Sequence, residues 1–177
     1  MATYRLIETV TVGSGGAASI AFTSIPQTYT DLKLVLSTRD NYATVTDNYL
    51  NINFNSDTAA NYSSRILNGT GASVSSQSFS AQNNGYVFQN TSAGATASTF
   101  ANIEIYIPNY SGNTAKSFSN DGVAESNTAT ATQTRFLAFS AGLWSGTSAI
   151  SRIDISPGNS ASFVQYSSAS LYGISNT

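Results

Sequence analysis

The chain contains no cysteine and no histidine. Without cysteine there is no disulfide framework and no thiolate metal site. Without histidine, Ser-His-Asp and Cys-His triads and every histidine-ligated metal site are excluded. Charge is scarce too: Asp, Glu, Lys and Arg make up 9% of the 177 residues, against roughly a quarter in ordinary globular proteins. The net charge is -2, with no block of like charges. That argues against nucleic-acid binding, which needs a basic patch. No run approaches the roughly 20 apolar residues of a membrane-spanning helix. The start, Met1 to Glu8, lacks the apolar centre of a secretion signal. A protein made in a cytoplasm and used as made is expected, with no membrane partner.

What replaces charge is Ser, Thr, Asn and Gly. Such a composition is disordered unless large apolar residues anchor it. Here 10 Tyr and 9 Phe, with regularly spaced Leu, Ile and Val, supply the anchors. The length suits one well-buried core, so residues 1–177 are expected to form a single domain. A surface of hydroxyls and amides repels neighbours weakly, which suits a protein packed against copies of itself or a larger particle.

Apolar residues alternate along the chain. In Ile25-Pro26-Gln27-Thr28-Tyr29-Thr30-Asp31-Leu32-Lys33-Leu34-Val35-Leu36-Ser37, Pro26 lacks a backbone N–H and ends one segment. Leu32, Leu34 and Leu36 then share one face of an extended strand. Leu50, Ile52 and Phe54 alternate with Asn51, Asn53 and Asn55, and Ile103, Ile105 and Ile107 with polar neighbours. Further strands are expected over 4–12, 17–24, 116–123, 135–144, 150–155 and 163–174, and a short strand or loop over 62–67. Residues 69–99 carry few large anchors and no charge, and predict one or two irregular strands with long loops. No segment has helical periodicity. About eight to ten short strands with turns at sandwich spacing predict an all-β, antiparallel two-sheet sandwich, jelly-roll-like.

Two features suggest interfaces. Asn is a poor strand former, so the row Asn51, Asn53, Asn55 faces solvent, a neighbouring subunit or a ligand. From Arg135 to Trp144 both strand faces are apolar: Leu137, Phe139, Ala141 and Leu143 on one, Phe136, Ala138, Gly142 and Trp144 on the other. Such a strand is central, or a partner covers its second face. Phe136, Trp144, Asn51, Asn53 and Asn55 are therefore the expected interface residues.

Catalytic chemistry is thin. Glu104, Asp121, Glu125 and Asp154 are the carboxylates that glycoside hydrolysis could use, but nothing in the sequence brings two together. Asp40, Asp47 and Asp57 lie near polar loops without calcium-loop spacing. Gly13-Ser14-Gly15-Gly16 reads as a hairpin turn, since no Lys-Ser/Thr follows it. Neither catalytic residue, cofactor nor metal is expected. Sugar binding stays open, because Tyr42, Tyr49, Tyr62, Tyr86, Tyr106, Tyr110 and Trp144 stand among many amides.

Three stretches carry a resemblance. Ile7-Glu8-Thr9-Val10, Phe22-Thr23-Ser24-Ile25-Pro26-Gln27-Thr28-Tyr29-Thr30-Asp31-Leu32 leading to Ser37-Thr38-Arg39, and the ending Ala169-Ser170-Leu171-Tyr172-Gly173-Ile174 together resemble small virion structural proteins of tailed bacteriophages. The resemblance spans both ends of the chain and leaves Thr58 to Thr99 unmatched. It implies a particle component, made in the bacterial host and localised to the virion. The favoured role is a capsid decoration or cement protein, a homo-oligomer with a trimer favoured, bound to the major capsid protein or other virion proteins. The alternative is a tail-fibre or receptor-binding domain recognising host glycan.

Overall fold

The computed structural model describes residues 2–43, 45–125 and 137–176. Among the described residues twelve strands run in chain order: β1 (Thr3–Thr11), β2 (Ile20–Phe22), β3 (Asp31–Thr38), β4 (Asp47–Phe54), β5 (Tyr62–Gly69), β6 (Val74–Gln82), β7 (Gly85–Thr91), β8 (Ala101–Pro108), β9 (Lys116–Val123), β10 (Leu137–Trp144), β11 (Ile153–Pro157) and β12 (Ser168–Ser175). They form two antiparallel sheets. The larger has the order β1-β12-β3-β8-β9-β10-β5-β6, and the smaller β2-β11-β4-β7. The all-β sandwich expected from the sequence is what the chain forms, with slightly more strands than expected.

The topology is a jelly roll with an extension. β1-β12-β3-β8 and β2-β11-β4-β7 are two four-stranded sheets, and the chain passes from one to the other at every step of this frame except from β4 to β7, which pair in the smaller sheet. Two hairpins are inserted into this frame. β5–β6 lies between β4 and β7 in sequence, and β9–β10 between β8 and β11. They pair with each other through β10 and β5, and β9 pairs with β8. The larger sheet thus grows from four strands to eight.

Alternation builds the core. Leu34 of β3 lies between Leu171 of β12 and Ile105 of β8, and Leu36 between Ala169 and Ile103. These side chains meet Ile20 and Phe22 of β2, Leu50, Ile52 and Phe54 of β4, Val87 of β7, and Ile153 and Ile155 of β11. Burying each large aliphatic side chain stabilises the fold by about 1.5–3 kcal/mol. The corner at Pro26 is pinned where the Tyr110 hydroxyl donates to the Pro26 carbonyl. Gln27 Nε2 adds bonds to the carbonyls of Ile25 (2.8 Å) and Ile150 (3.0 Å).

The extension is welded to the frame by aromatic rings over small residues. A Cβ on Gly142 of β10 would sit 2.0 Å from the Phe118 ring of β9, and one on Gly85 of β7 would sit 2.4 Å from it. Phe118 therefore fills the space that two glycines leave, joining the sheets. Ile66, Phe88 and Ala138 form a second apolar cluster, with Tyr49, Phe79 and Tyr86 packed against it. Residues 69–99, expected to be irregular, contain two well-formed strands. β6 pairs with β5 in the larger sheet and β7 with β4 in the smaller, the chain crosses between the sheets at Asn83-Asn84, and Phe79, Tyr86 and Phe88 pack together beside the crossing.

Polar residues are buried at one end of the sandwich. Arg39 donates to the carbonyls of Ala93, Ala95, Thr96 and Thr99, and so moulds the loop after β7. Burial pulls its guanidinium below the ordinary value, partly offset by the charge of Asp40. Asp40 accepts from Asn48 (2.9 Å), Asn90 (2.8 Å) and the backbone N–H of Tyr42 (3.0 Å).

Candidate interaction surface

The residues expected to form an interface lie in different settings. Phe136 lies outside the described residues. Trp144 is not on the surface. It sits in the core between Phe54 and Tyr62, and its indole Nε1 donates to Asp57 Oδ2 at 2.7 Å. Period-2 alternation explains the correction: Ala138, Ser140, Gly142 and Trp144 face inward, so Leu137, Phe139, Ala141 and Leu143 face out.

The asparagine row is turned to internal use. Asn51 Oδ1 accepts from Asn84 Nδ2 at 2.7 Å. Asn53 Nδ2 donates to the carbonyls of Asp57 and Asn83, both at 2.8 Å. Asn55 bonds the Ala149 carbonyl and accepts from the backbone N–H groups of Ser151 and Arg152. Two amides on one face of β4 and a third just past its end therefore anchor three loops. That is the cause, beyond backbone preference, for placing poor strand formers there.

The aromatics proposed for sugar binding are mostly enclosed. Tyr62, Tyr110 and Trp144 are buried, and Tyr49 and Tyr86 meet edge to face beside the second cluster. Tyr106 is exposed, on β8, and donates its hydroxyl to Asp31 Oδ2 at 2.8 Å. Asp40, Asp47 and Asp57 are not assembled for a cation. Among the described residues no group of three Asp or Glu side chains has metal-binding geometry. Asp57 instead accepts from Asn61, Trp144 and the backbone N–H of Ala59, which together hold its carboxyl below the usual carboxylate range.

Two carboxylates do come together, which the sequence alone did not reveal. Glu104 of β8 stands directly opposite Asp121 of β9 on the outer face of the larger sheet. Glu104 is engaged by Lys33 of β3 at 2.6 Å, and that contact pushes the Lys33 ammonium above its ordinary value. Asp154, similarly, is held by Arg152 across two bonds. Both pairs are ordinary surface ion pairs.

The outer face of the extension is the distinctive surface. Registers place Val123, Leu137, Gly69 and Val74 in one row across β9, β10, β5 and β6. The next row is Asp121, Phe139, Leu67 and Ser76. Phe139 is 58% exposed, Leu67 50% and Val74 73%. Leu143 and Val123 are also exposed. Scattered exposed apolar residues are normal, but a contiguous group on one sheet face marks a binding surface. A groove of about 710 Å³ crosses this face, with Phe139 on its floor, Asp121 and Ser119 on the β9 side, and Arg65 and Gln77 on the β5–β6 side. Arg65 is fixed by its own bond to the Phe79 carbonyl at 2.8 Å. Phe139 was absent from the expected interface. The signal for it was the run of small residues, Ala138, Ser140 and Gly142, which marks the opposite face as the one covered by rings.

No protein-family model matches the chain, and no curated protein matches it. Among solved structures the chain is similar to a functionally unknown protein from Saccharomyces cerevisiae. The two share 7% identity over 99% of this chain and 93% of that chain, with a TM-score of 0.29. At that score the likeness carries no argument about fold or function.

Proposed function

We propose that this chain is a structural protein of a tailed-bacteriophage virion, a decoration or cement protein that binds the assembled capsid. The observation that carries the reading is the exposed strip Leu67, Val74, Val123, Leu137 and Phe139 on the outer face of the extension. A rigid sheet face with apolar side chains and few charges binds by burying area. Contacts repeated over a lattice of identical subunits add to a large total even when each is weak. The sparse charge suits crowded packing on a particle, and the resemblance at both ends of the chain points the same way. In this reading the protein is a homo-oligomer, its partner is the major capsid protein, and it performs no catalysis.

A second reading is favoured by the groove. Phe139 lies beside Asp121, with Arg65 and Ser76 on the same sheet face, an apolar surface with a few polar groups of the kind that orient small ligands. A receptor-binding domain that grips host glycan could use it. The two readings separate in one assay. Purified protein is mixed with undecorated capsids and, separately, with host surface polysaccharide. The cement reading expects saturable capsid binding at fixed copy number and higher heat resistance of the capsid. Binding to polysaccharide alone favours the second reading.

A further inference from the structure

The eight-stranded sheet ends in two edges, β1 and β6. An open edge presents unpaired N–H and C=O groups and recruits other strands unless something blunts it. β1 is blunted. It carries Arg5 and Glu8, and its register slips between Leu6 and Glu8. The smaller sheet manages its edges as well, for β2 has only three residues and β7 packs against the extension through Phe88.

β6 has no such protection. Its nine residues, VSSQSFSAQ, include no charge and no proline, and six of them are exposed. From Val74 to Phe79 it runs without a break against β5, and the backbone departs only at Ala81, with φ 52°. No described strand pairs with its outer side. In fact no charged residue occurs anywhere between Arg65 and Glu104.

We infer that the outer edge of β6 pairs antiparallel with β6 of a second copy of this chain across a two-fold axis. An antiparallel two-fold sets a strand against its own sequence in reverse, so a charge at or beside the axis meets its own copy. Of the larger sheet's two edges, β6 is the one that carries no charge. Its side chains are mostly serine, small enough for close approach and able to pair hydroxyls across strands. The pairing closes on itself. It leaves a dimer whose larger sheet ends only in the two blunted β1 strands, whereas an edge-to-edge contact between β6 and β1 would propagate into a filament. It also places the two Val74 and Leu67 strips side by side in one wider apolar surface. The inference goes beyond the particle reading and replaces the three-fold assembly expected from the sequence.

The test needs only the purified chain. Sedimentation equilibrium is expected to give a dimer, and Ser76→Lys, an exposed change opposite Leu67, is expected to weaken it ~10-fold or more with an unchanged melting profile of the monomer. Because the chain has no cysteine, single cysteines placed from Val74 to Ser80 report the geometry directly. Oxidative cross-linking is expected to peak at one position, which marks the axis, and to fall on either side. Ser37→Cys, on the exposed face of β3, is expected to stay monomeric on a denaturing gel. A wild-type monomer or trimer, or cross-linking as strong at Ser37 as on β6, overturns the inference. Loss of capsid binding with the dimer intact leaves the inference standing and strikes the particle reading alone.

Discussion

The indole nitrogen of Trp144 donates to the Asp57 carboxylate at 2.7 Å, on the covered face of β10. The bond ties the end of β10 to the loop after β4, while Phe139, on the opposite face, is in solvent. Trp144→Phe keeps the ring but leaves Asp57 short of a donor. The variant is expected to lose about 1–2 kcal/mol in urea unfolding while capsid binding at saturating stability is unchanged. Wild-type stability with lost binding would put the tryptophan at the interface after all.

Phe139→Asp places a charge in the exposed strip without touching the core. It is expected to leave the unfolding midpoint within ~0.5 kcal/mol of the parent, as surface changes usually do. Capsid binding is expected to fall ~100-fold, the scale of losing one central apolar anchor. Co-sedimentation with undecorated capsids checks both halves when paired with thermal unfolding.

Gly142→Ala is expected to be severe for a single methyl group. The new Cβ lies 2.0 Å from the Phe118 ring, and Phe118 is already pressed by Gly85 from the other sheet. Overpacking of a closed core costs about 1–3 kcal/mol, and denaturant unfolding should place the variant in that range. Phe118→Leu in the same background should recover part of the loss, because the clash is with the ring.

Burial pushes the Tyr62 phenol up to about 12, with the N–H of Phe54 donated to its oxygen pulling the other way. An unfolded tyrosine titrates near 10. Below that pH both states keep the proton and the stabilising contribution is whole. As pH rises through roughly 10 toward 12 the unfolded state ionises first, and the contribution is lost. Stability should therefore decline over that window. In Tyr62→Phe the decline should be shallower, at the cost of a buried Phe54 N–H without a partner. Unfolding midpoints measured between neutral and strongly alkaline pH provide the comparison.

Much of the fold was legible because its central strands alternate strictly. Leu32/Leu34/Leu36, Leu50/Ile52/Phe54 and Ile103/Ile105/Ile107 each declare an inward face, and two sheets of such strands make a sandwich. Residues 69–99 were not legible, because Ser, Gln and Asn carry no hydrophobic period. Those strands are set by their pairing partners: β6 by β5 across the turn at 70–73, and β7 by the distant β4 and the rings of Tyr49 and Phe79. The candidate surface was half legible. Two apolar faces on β10 were plain, but only the position of Phe118 over Gly142 tells which is covered. The asparagine row was seen, while its loop partners at Asn83-Asn84 and 149–152 lie far away in sequence.

The most direct test of the central claim is electron cryomicroscopy of purified virions, reconstructed with and without this protein. The account predicts density for a twelve-stranded sandwich over the capsid lattice, with the outer face of the extension, Phe139 at its centre, against the shell. Density confined to the tail, or a particle that lacks the protein altogether, would contradict it.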